Sequence, residues 1–318
     1  MSNKDLYREF CKKELDIPIF SKDWWLDAVC TDGVWDVALV EKGGQIVASM
    51  PYYLIKEGMF KLISMPKLTQ TMGPYIKYPK KQKYYKKLSW DKEIMTSLID
   101  QLPYYDAFNQ YFNSNITNWL PFYWKGFNSS VRYTYTIENI ALDNLEKLLE
   151  TDIRRRKRKA IKFGVEVFEG EDIEKFYEVN MKTFQRKGLK KPFSLDFLKR
   201  FYKIVKEHNA CKMFFAKDKE NNIIAVNFLV YDNNRVYYIL GGIDPLKKDL
   251  GAMDVIIYES IKFAIETNRV FDFEGSMIDT IEKYFRSFGA VQTQYLQIFK
   301  TNSKLWKIKS ILDGVLKK

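Results

Sequence analysis

Two tandem α/β domains, each a mixed β-sheet flanked by helices, are what this sequence predicts. An order of five elements occurs twice, and two matching hairpins turn at Gly43-Gly44 and at Asn221-Asn222. The apolar content is also that of a chain with substantial cores: 318 residues, 46% hydrophobic, with 23 Phe and 21 Tyr.

Each element has its own local reason. SKDWWLDAV (21–29) and SLDFLKRFYKIV (194–205) both open on Ser at an expected helix N-cap, with Asp two residues on. WDVALVEKGGQ followed by IVASMPYYL (46–54), and KMFFAKDKENN followed by IIAVNFLVY (223–231), read as hairpins about those turn residues. SWDKEIMTSLIDQL (89–102) and AMDVIIYESIKFA (252–264) read as helices, each leading into a strand, YDAFNQYF (105–112) and VFDFEGS (270–276). The order helix, hairpin, strand, helix, strand thus divides the chain at about 1–141 and 142–318. The join is a helix starting near Leu142, with Leu145, Leu149 and Ile153 on one face.

Composition narrows the chemistry. Cys11, Cys30 and Cys211 are scattered, without CxxC or Cys/His spacing, so neither a disulfide framework nor a metal site is expected. His208 is the only histidine and reads as a helix-end residue, which leaves carboxylates, Tyr, Lys and backbone groups for any catalysis. No apolar run is long enough to span a membrane, and the polar N-terminus does not read as a signal peptide, so the cytoplasm is the expected compartment. Fifty-two basic and 40 acidic residues give a net charge of +12, which favours polyanionic partners: nucleic acid, nucleotide phosphates or an anionic membrane surface contacted peripherally.

Two stretches carry candidate chemistry. In FDFEGSMIDTIEKYFRSFGA (271–290), strand alternation sets Phe271 and Phe273 on one face and Asp272 and Glu274 on the other. Burying the two rings is worth roughly 2–3 kcal/mol each, whereas unpaired buried carboxylates cost more, so the acidic pair must meet water, a basic partner or a ligand. Two carboxylates on one face raise each other's pKa, which suits one of them to accept a proton near neutrality. Ser276 is the expected N-cap of the helix that follows, and Gly289 its end. In IRRRKRKAIK (153–162), Arg155, Arg158, Lys159 and Lys162 share a helix face suited to phosphate or RNA.

Together with KTFQRKGLKKPFS (182–194) and YYILGGIDPLKKDLGAMD (237–254), these stretches resemble the GNAT acyltransferase fold. The nearer likeness is to its tandem group, which includes FemAB-like proteins and BioF2-like acetyltransferases, and it extends over most of the chain. The resemblance implies centrally splayed sheets, with an acyl-CoA donor in the cleft between VYYILGGID and FDFEG of the C-terminal copy. It implies an amine acceptor, Glu274 or Asp272 as proton acceptor, and Tyr284 as acid for the leaving group. Leu240, Gly241 and Gly242 would offer amides to the oxyanion, while Lys247, Lys248, Gly251, Ala252 and Met253 would hold pyrophosphate at a helix N-terminus. Two departures stand out: Met253 occupies the slot of a small residue, and Phe285 that of the usual tyrosine. The first copy, whose loop TMGPYIKYPKKQKYYKKLS (71–89) carries Pro74 and no glycine-rich turn, is expected to hold no donor.

A bacterial enzyme acting on an envelope or cell-wall precursor suits the resemblance. FemAB-like proteins take the acyl group from aminoacyl-tRNA and pass it to a peptidoglycan precursor, which makes this the alternative donor. A third expectation, of another class, is a ligand- or RNA-binding protein that keeps the fold without catalysis.

Overall fold

The computed structural model describes residues 1–186, 188, 192–275 and 277–316. The expected N-cap Ser276 and part of the 182–194 motif lie outside the described residues. Two compact units are present, Met1–Arg132 with Gln294–Lys318, and Tyr133–Thr293. Both boundaries fall inside strands, so the division differs from the contiguous halves 1–141 and 142–318 that the sequence suggests.

In the first unit, α1 (Asn3–Lys13) and α2 (Asp23–Val29) precede the hairpin β1 (Val34–Lys42) and β2 (Gln45–Glu57). There follow β3 (Phe60–Ser64), the short β4 (Tyr75–Ile76), α3 (Tyr84–Asp100), β5 (Ala107–Tyr111) and α4 (Leu120–Trp124). Next in the chain comes β6 (Asn128–Ile137), whose last five residues belong to the second unit.

The second unit continues through α5 (Leu145–Leu148), α6 (Thr151–Lys162), β7 (Glu166–Glu169), α7 (Ile173–Arg186) and α8 (Leu195–Glu207). It adds β8 (Cys211–Lys217), β9 (Ile223–Tyr231), β10 (Arg235–Ile243), α9 (Ala252–Glu266), β11 (Val270–Asp272) and α10 (Asp279–Arg286). β12 (Val291–Thr301) and α11 (Lys304–Leu316) return the chain to the first unit.

The strands of the two units repeat one plan, each unit forming its own portion of the sheet. In the first, β1, β2 and β3 are antiparallel neighbours, β3 runs parallel to β5, and β5 pairs antiparallel with β12. In the second, β8, β9 and β10 are antiparallel, β10 runs parallel to β11, and β11 pairs antiparallel with β6. The strand beyond each parallel pair is thus drawn from the other half of the sequence. Neither β6 nor β12 is foreseen from the repeated order, because their partners are distant in sequence.

Packing of α9 and α10 on one face of the second unit's strands builds a core from Ile257, Ile261, Phe271, Phe273, Phe285 and Phe288, closed by Leu145, Leu149 and Ile153. Phe271 and Phe273 meet edge to face with centroids 4.9 Å apart, in keeping with their expected burial. On the opposite face Phe228 of β9 packs against Phe176 of α7 and Phe201 of α8.

Candidate active site

The parallel pair among the second unit's strands is short, and the site forms where it ends. Register joins Arg235, Val236 and Tyr237 to Val270, Phe271 and Asp272. Beyond Tyr237, β10 runs on to Ile243 while β11 stops, so the strands part, and β10 shifts register between Tyr238 and Leu240. This bulge reorients the following residues. The Gly241 carbonyl accepts from Asn180 Nδ2 at 2.6 Å and the Ile243 amide donates to Thr183 Oγ1 at 3.3 Å, both on α7. Residues 241 and 243 therefore turn their backbone groups away from β9, and the Gly241 N–H is turned the same way. Of the three residues whose amides are expected to hold an oxyanion, Gly241 has its carbonyl turned to α7, and strand alternation turns Leu240 and Gly242 toward β9.

Both glycines are needed for close approach. A Cβ on Gly242 would fall 2.4 Å from the Asn180 Cα, and one on Gly241 would fall 1.8 Å from the Tyr238 hydroxyl. That hydroxyl donates to the Met253 sulfur at 3.7 Å. Tyr238 and Asn180 are site residues that sequence reasoning missed. Tyr238 has no motif of its own, and Asn180 is placed only by α7 crossing β10.

The acidic pair is divided by the backbone. β11 ends at Asp272, and Glu274 and Gly275 both have left-handed backbones, with φ of 62° and 72°. The expectation that both carboxylates share a face toward the cleft is therefore corrected. Asp272, 2% exposed, forms an ion pair with Arg235 at 2.6 Å and accepts from the Thr134 hydroxyl at 2.5 Å and the Glu274 amide at 2.8 Å. Both of its oxygens are thus engaged within the fold, where it holds Arg235, Thr134 and the Glu274 amide together.

Glu274 differs. The residue is partly exposed, but its Oε1 is enclosed without a hydrogen-bond partner. Burial, then the Asp272 charge, pushes its carboxyl well above the ordinary range. A non-glycine residue in the left-handed region is strained by about 1 kcal/mol or more, and such strain concentrates at functional sites. Gly275 lets the chain make this turn, since a Cβ there would meet the Tyr133 carbonyl at 2.5 Å.

Tyr284 is also corrected. Its hydroxyl donates to Asp254 Oδ1 at 2.8 Å, and burial, then Asp254, raises it well above the usual tyrosine range. Such a phenol, half-buried against the core and already donating to Asp254, is not a free acid. Asp254 lies in the first turn of α9 and accepts two further hydrogen bonds from Arg156 of α6, at 2.9 and 3.2 Å.

This cluster changes the expected pyrophosphate site. Gly251 and Ala252 are buried, and α6 lies so close that a Cβ on Gly251 would approach the Arg156 carbonyl to 2.9 Å. Met253 is engaged by Tyr238, Lys247 by the buried Asp218 at 3.3 Å, and Lys248 remains exposed. The helix dipole already faces the Asp254 carboxylate. These residues do not fit a pyrophosphate at the α9 N-terminus.

Helix α6 presents two sides. Ile153, Lys157 and Ala160 face inward, Lys157 pairing with Glu146 and lying 3.5 Å from the Tyr258 ring centroid. Arg155, Arg158, Lys159 and Lys162 are exposed, as the helical spacing implies; Arg155 meets Asp152 at 3.3 Å and Arg158 meets Glu146 only at 4.0 Å. Burial pushes the Cys11 and Cys211 thiols up to about 12 and raises that of Cys30 as well, which disfavours the thiolate at all three.

Comparison with known proteins agrees with this geometry. Residues 149–285 match the family described as Acetyltransferase (GNAT) domain. The crystal structure of FemX superposes with a TM-score of 0.68 at 14% identity, covering 92% of this chain and 95% of that one. The C-terminal domain of a putative lysylphosphatidylglycerol synthetase from Agrobacterium fabrum gives 0.59 at 12% identity, covering 98% and 97%. A tandem GNAT protein from the clavulanic acid biosynthesis pathway gives 0.53 at 7% identity, covering 94% of each chain. No curated protein sequence matches. Residues 149–285 thus match a GNAT acetyltransferase domain, which supports an N-acyltransferase, and the chain shares the fold of a tandem GNAT protein.

Proposed function

We propose that the second unit transfers an aminoacyl group from tRNA to an amine on a cell-envelope precursor, with Glu274 accepting the amine proton. The observation that carries this reading is the strained, enclosed Glu274 carboxyl beside the parting of β10 and β11. The amine nitrogen bonds to the acyl carbon as its proton passes to Glu274 and the Gly241 amide holds the oxyanion. When the intermediate collapses, the ester oxygen leaves and takes the proton back from Glu274. A carboxyl whose pKa is raised above the ordinary glutamate range by burial and the Asp272 charge is a stronger base than a free one, which suits it to accept the amine proton. The buried α9 N-terminus and the exposed Arg155, Arg158, Lys159 and Lys162 support an RNA-borne donor over a pyrophosphate-borne one. The names of FemX and the lysylphosphatidylglycerol synthetase domain support an envelope acceptor.

Acyl-CoA, the donor a GNAT domain implies in general, is the second reading, favoured by the exposed Lys248 and the left-handed Gly251 before α9. Filter binding with mixed charged tRNA, beside calorimetry with acetyl-CoA and longer acyl-CoAs, separates the two. We expect tRNA binding that falls steeply with salt and is lost in Arg155→Glu/Arg158→Glu. Binding of an acyl-CoA alone would install the second reading. Binding of either donor with undiminished transfer by Glu274→Gln would remove catalysis by this carboxyl.

A further inference from the structure

Helix α11 leaves an apolar stripe without a partner. Leu305, Ile308, Ile311 and Leu312 are 61%, 57%, 57% and 57% exposed. At 100° per residue they fall within an arc of about 120°. Away from the stripe the helix is docked within the first unit, where Trp306 packs edge to face on Phe60 at 5.2 Å; at the stripe's border Lys309 pairs with Glu57 and with Asp313 at 3.5 Å. The stripe is therefore not a core face left by fraying. The β2–β3 turn beside Trp306 and Lys309 adds Met59, 78% exposed.

Charge says what covers it. Lys304 starts the helix, while Lys307 and Lys309 border the stripe on its two sides. Exposed Lys56 and Lys61 flank Met59 across the turn, and the acids nearby, Glu57 and Asp313, are taken up by Lys309. An apolar stripe rimmed by lysines is the composition of a helix that lies in the plane of a lipid headgroup layer. A second copy is a poorer occupant, since five side chains fall short of the about 20–30 residues per side of a stable interface. No described helix is long and apolar enough to cross a membrane, so the contact is peripheral.

We propose that Leu305, Ile308, Ile311, Leu312 and Met59 form a docking surface for an anionic lipid bilayer, with Lys304 and Lys307 meeting the phosphate headgroups. The stripe enters the headgroup–acyl boundary while Trp306 keeps α11 fixed to the first unit. The contact is independent of which donor the second unit uses.

The test is co-sedimentation of the full chain with phosphatidylcholine vesicles, with and without about 30 mol% phosphatidylglycerol. We expect binding to the anionic vesicles that weakens with salt. It should fall about tenfold or more in Ile308→Ser/Ile311→Ser, from lost apolar contact, and comparably in Lys304→Glu/Lys307→Glu. The substituted positions are exposed, so melting temperature and circular dichroism should stay unchanged, separating lost docking from lost folding. Absence of binding to anionic vesicles overturns the proposal, as does full binding by both variants. A dimer in sedimentation velocity that Ile308→Ser/Ile311→Ser dissolves, without vesicle binding, would assign the stripe to a second copy instead.

Discussion

Where β3 leaves β5 in the first unit, the chain itself fills the gap. Met72 takes up parallel pairing with Phe112, its amide donates to the Tyr111 carbonyl at 2.6 Å, and Gly73 packs on the Phe112 ring, where a Cβ would stand 2.3 Å from it. Asn113 follows, with no carboxyl at that point. In the second unit, β10 outruns β11, bulges at Tyr238–Leu240, and is met by a left-handed Glu274 with an enclosed carboxyl oxygen. One plan thus gives a closed sheet in the first case and an open strand end with a titratable group in the second. A repeated fold offers a candidate site where the strands stay parted and a titratable group with an enclosed, unpartnered oxygen stands at the strand end.

The widest difference between the units should appear in catalysis. Glu274→Gln should lower acyl transfer by roughly 10²–10⁴-fold, the usual weight of general acid–base catalysis. Asn113→Ala, just past the end of β5 in the first unit, should leave the rate unchanged. Radiolabel transfer from the donor that passes the binding test to a peptidoglycan precursor reads both, and equal effects would erase the distinction.

Next in size is the support under the site. Arg235→Met leaves Asp272 buried without its cation, and breaking such a pair costs about 3–5 kcal/mol. Urea denaturation measures it, and a change below 1 kcal/mol would show that Thr134 and the Glu274 amide suffice. Gly242→Ala forces a Cβ against the α7 backbone at 2.4 Å, where neither side can yield without moving an element. Overpacking of this kind costs about 1–3 kcal/mol, visible as a lowered melting temperature.

The smallest effect is the dependence of stability on pH. Glu274 has a raised folded-state pKa, so above the ordinary value of 4.5 the unfolded chain releases this proton while the folded one keeps it. Stability from this group is greatest below 4.5, declines as pH rises toward the folded value, and then levels. Glu274→Gln should remove that decline and stabilise the protein at neutral pH, as denaturation at several pH values would reveal.

Much of this comparison was legible in the residues. The hairpin turns, α9 and the Phe271–Phe273 pair follow from local pattern, and the repeated order located both portions of the sheet. What escaped were matters of long-range geometry. β6 and β12 find partners in the opposite half of the sequence, which no local signal reports. Alternation carried β11 on to Glu274, but the left-handed backbone ended it at Asp272 and sent the two carboxylates to different tasks. The basic run of α6 hid its inward members, although Lys157 shares the stripe of Ile153 and Ala160 at helical spacing. Asp254, three residues after Gly251, carries no sequence signal that distinguishes it from an ordinary first-turn acid, since Arg156 and Tyr284 reach it only through the fold.

The central claim, that the second unit holds a poised carboxyl where the first holds none, can be tested without any substrate. Carbon-13 NMR titration of glutamate-labelled protein, compared with Glu274→Gln, follows this group directly. The account predicts one carboxyl that titrates well above the ordinary glutamate range and is absent from the variant. A spectrum in which every glutamate titrates in the ordinary range, and the variant merely lacks one of them, would contradict it.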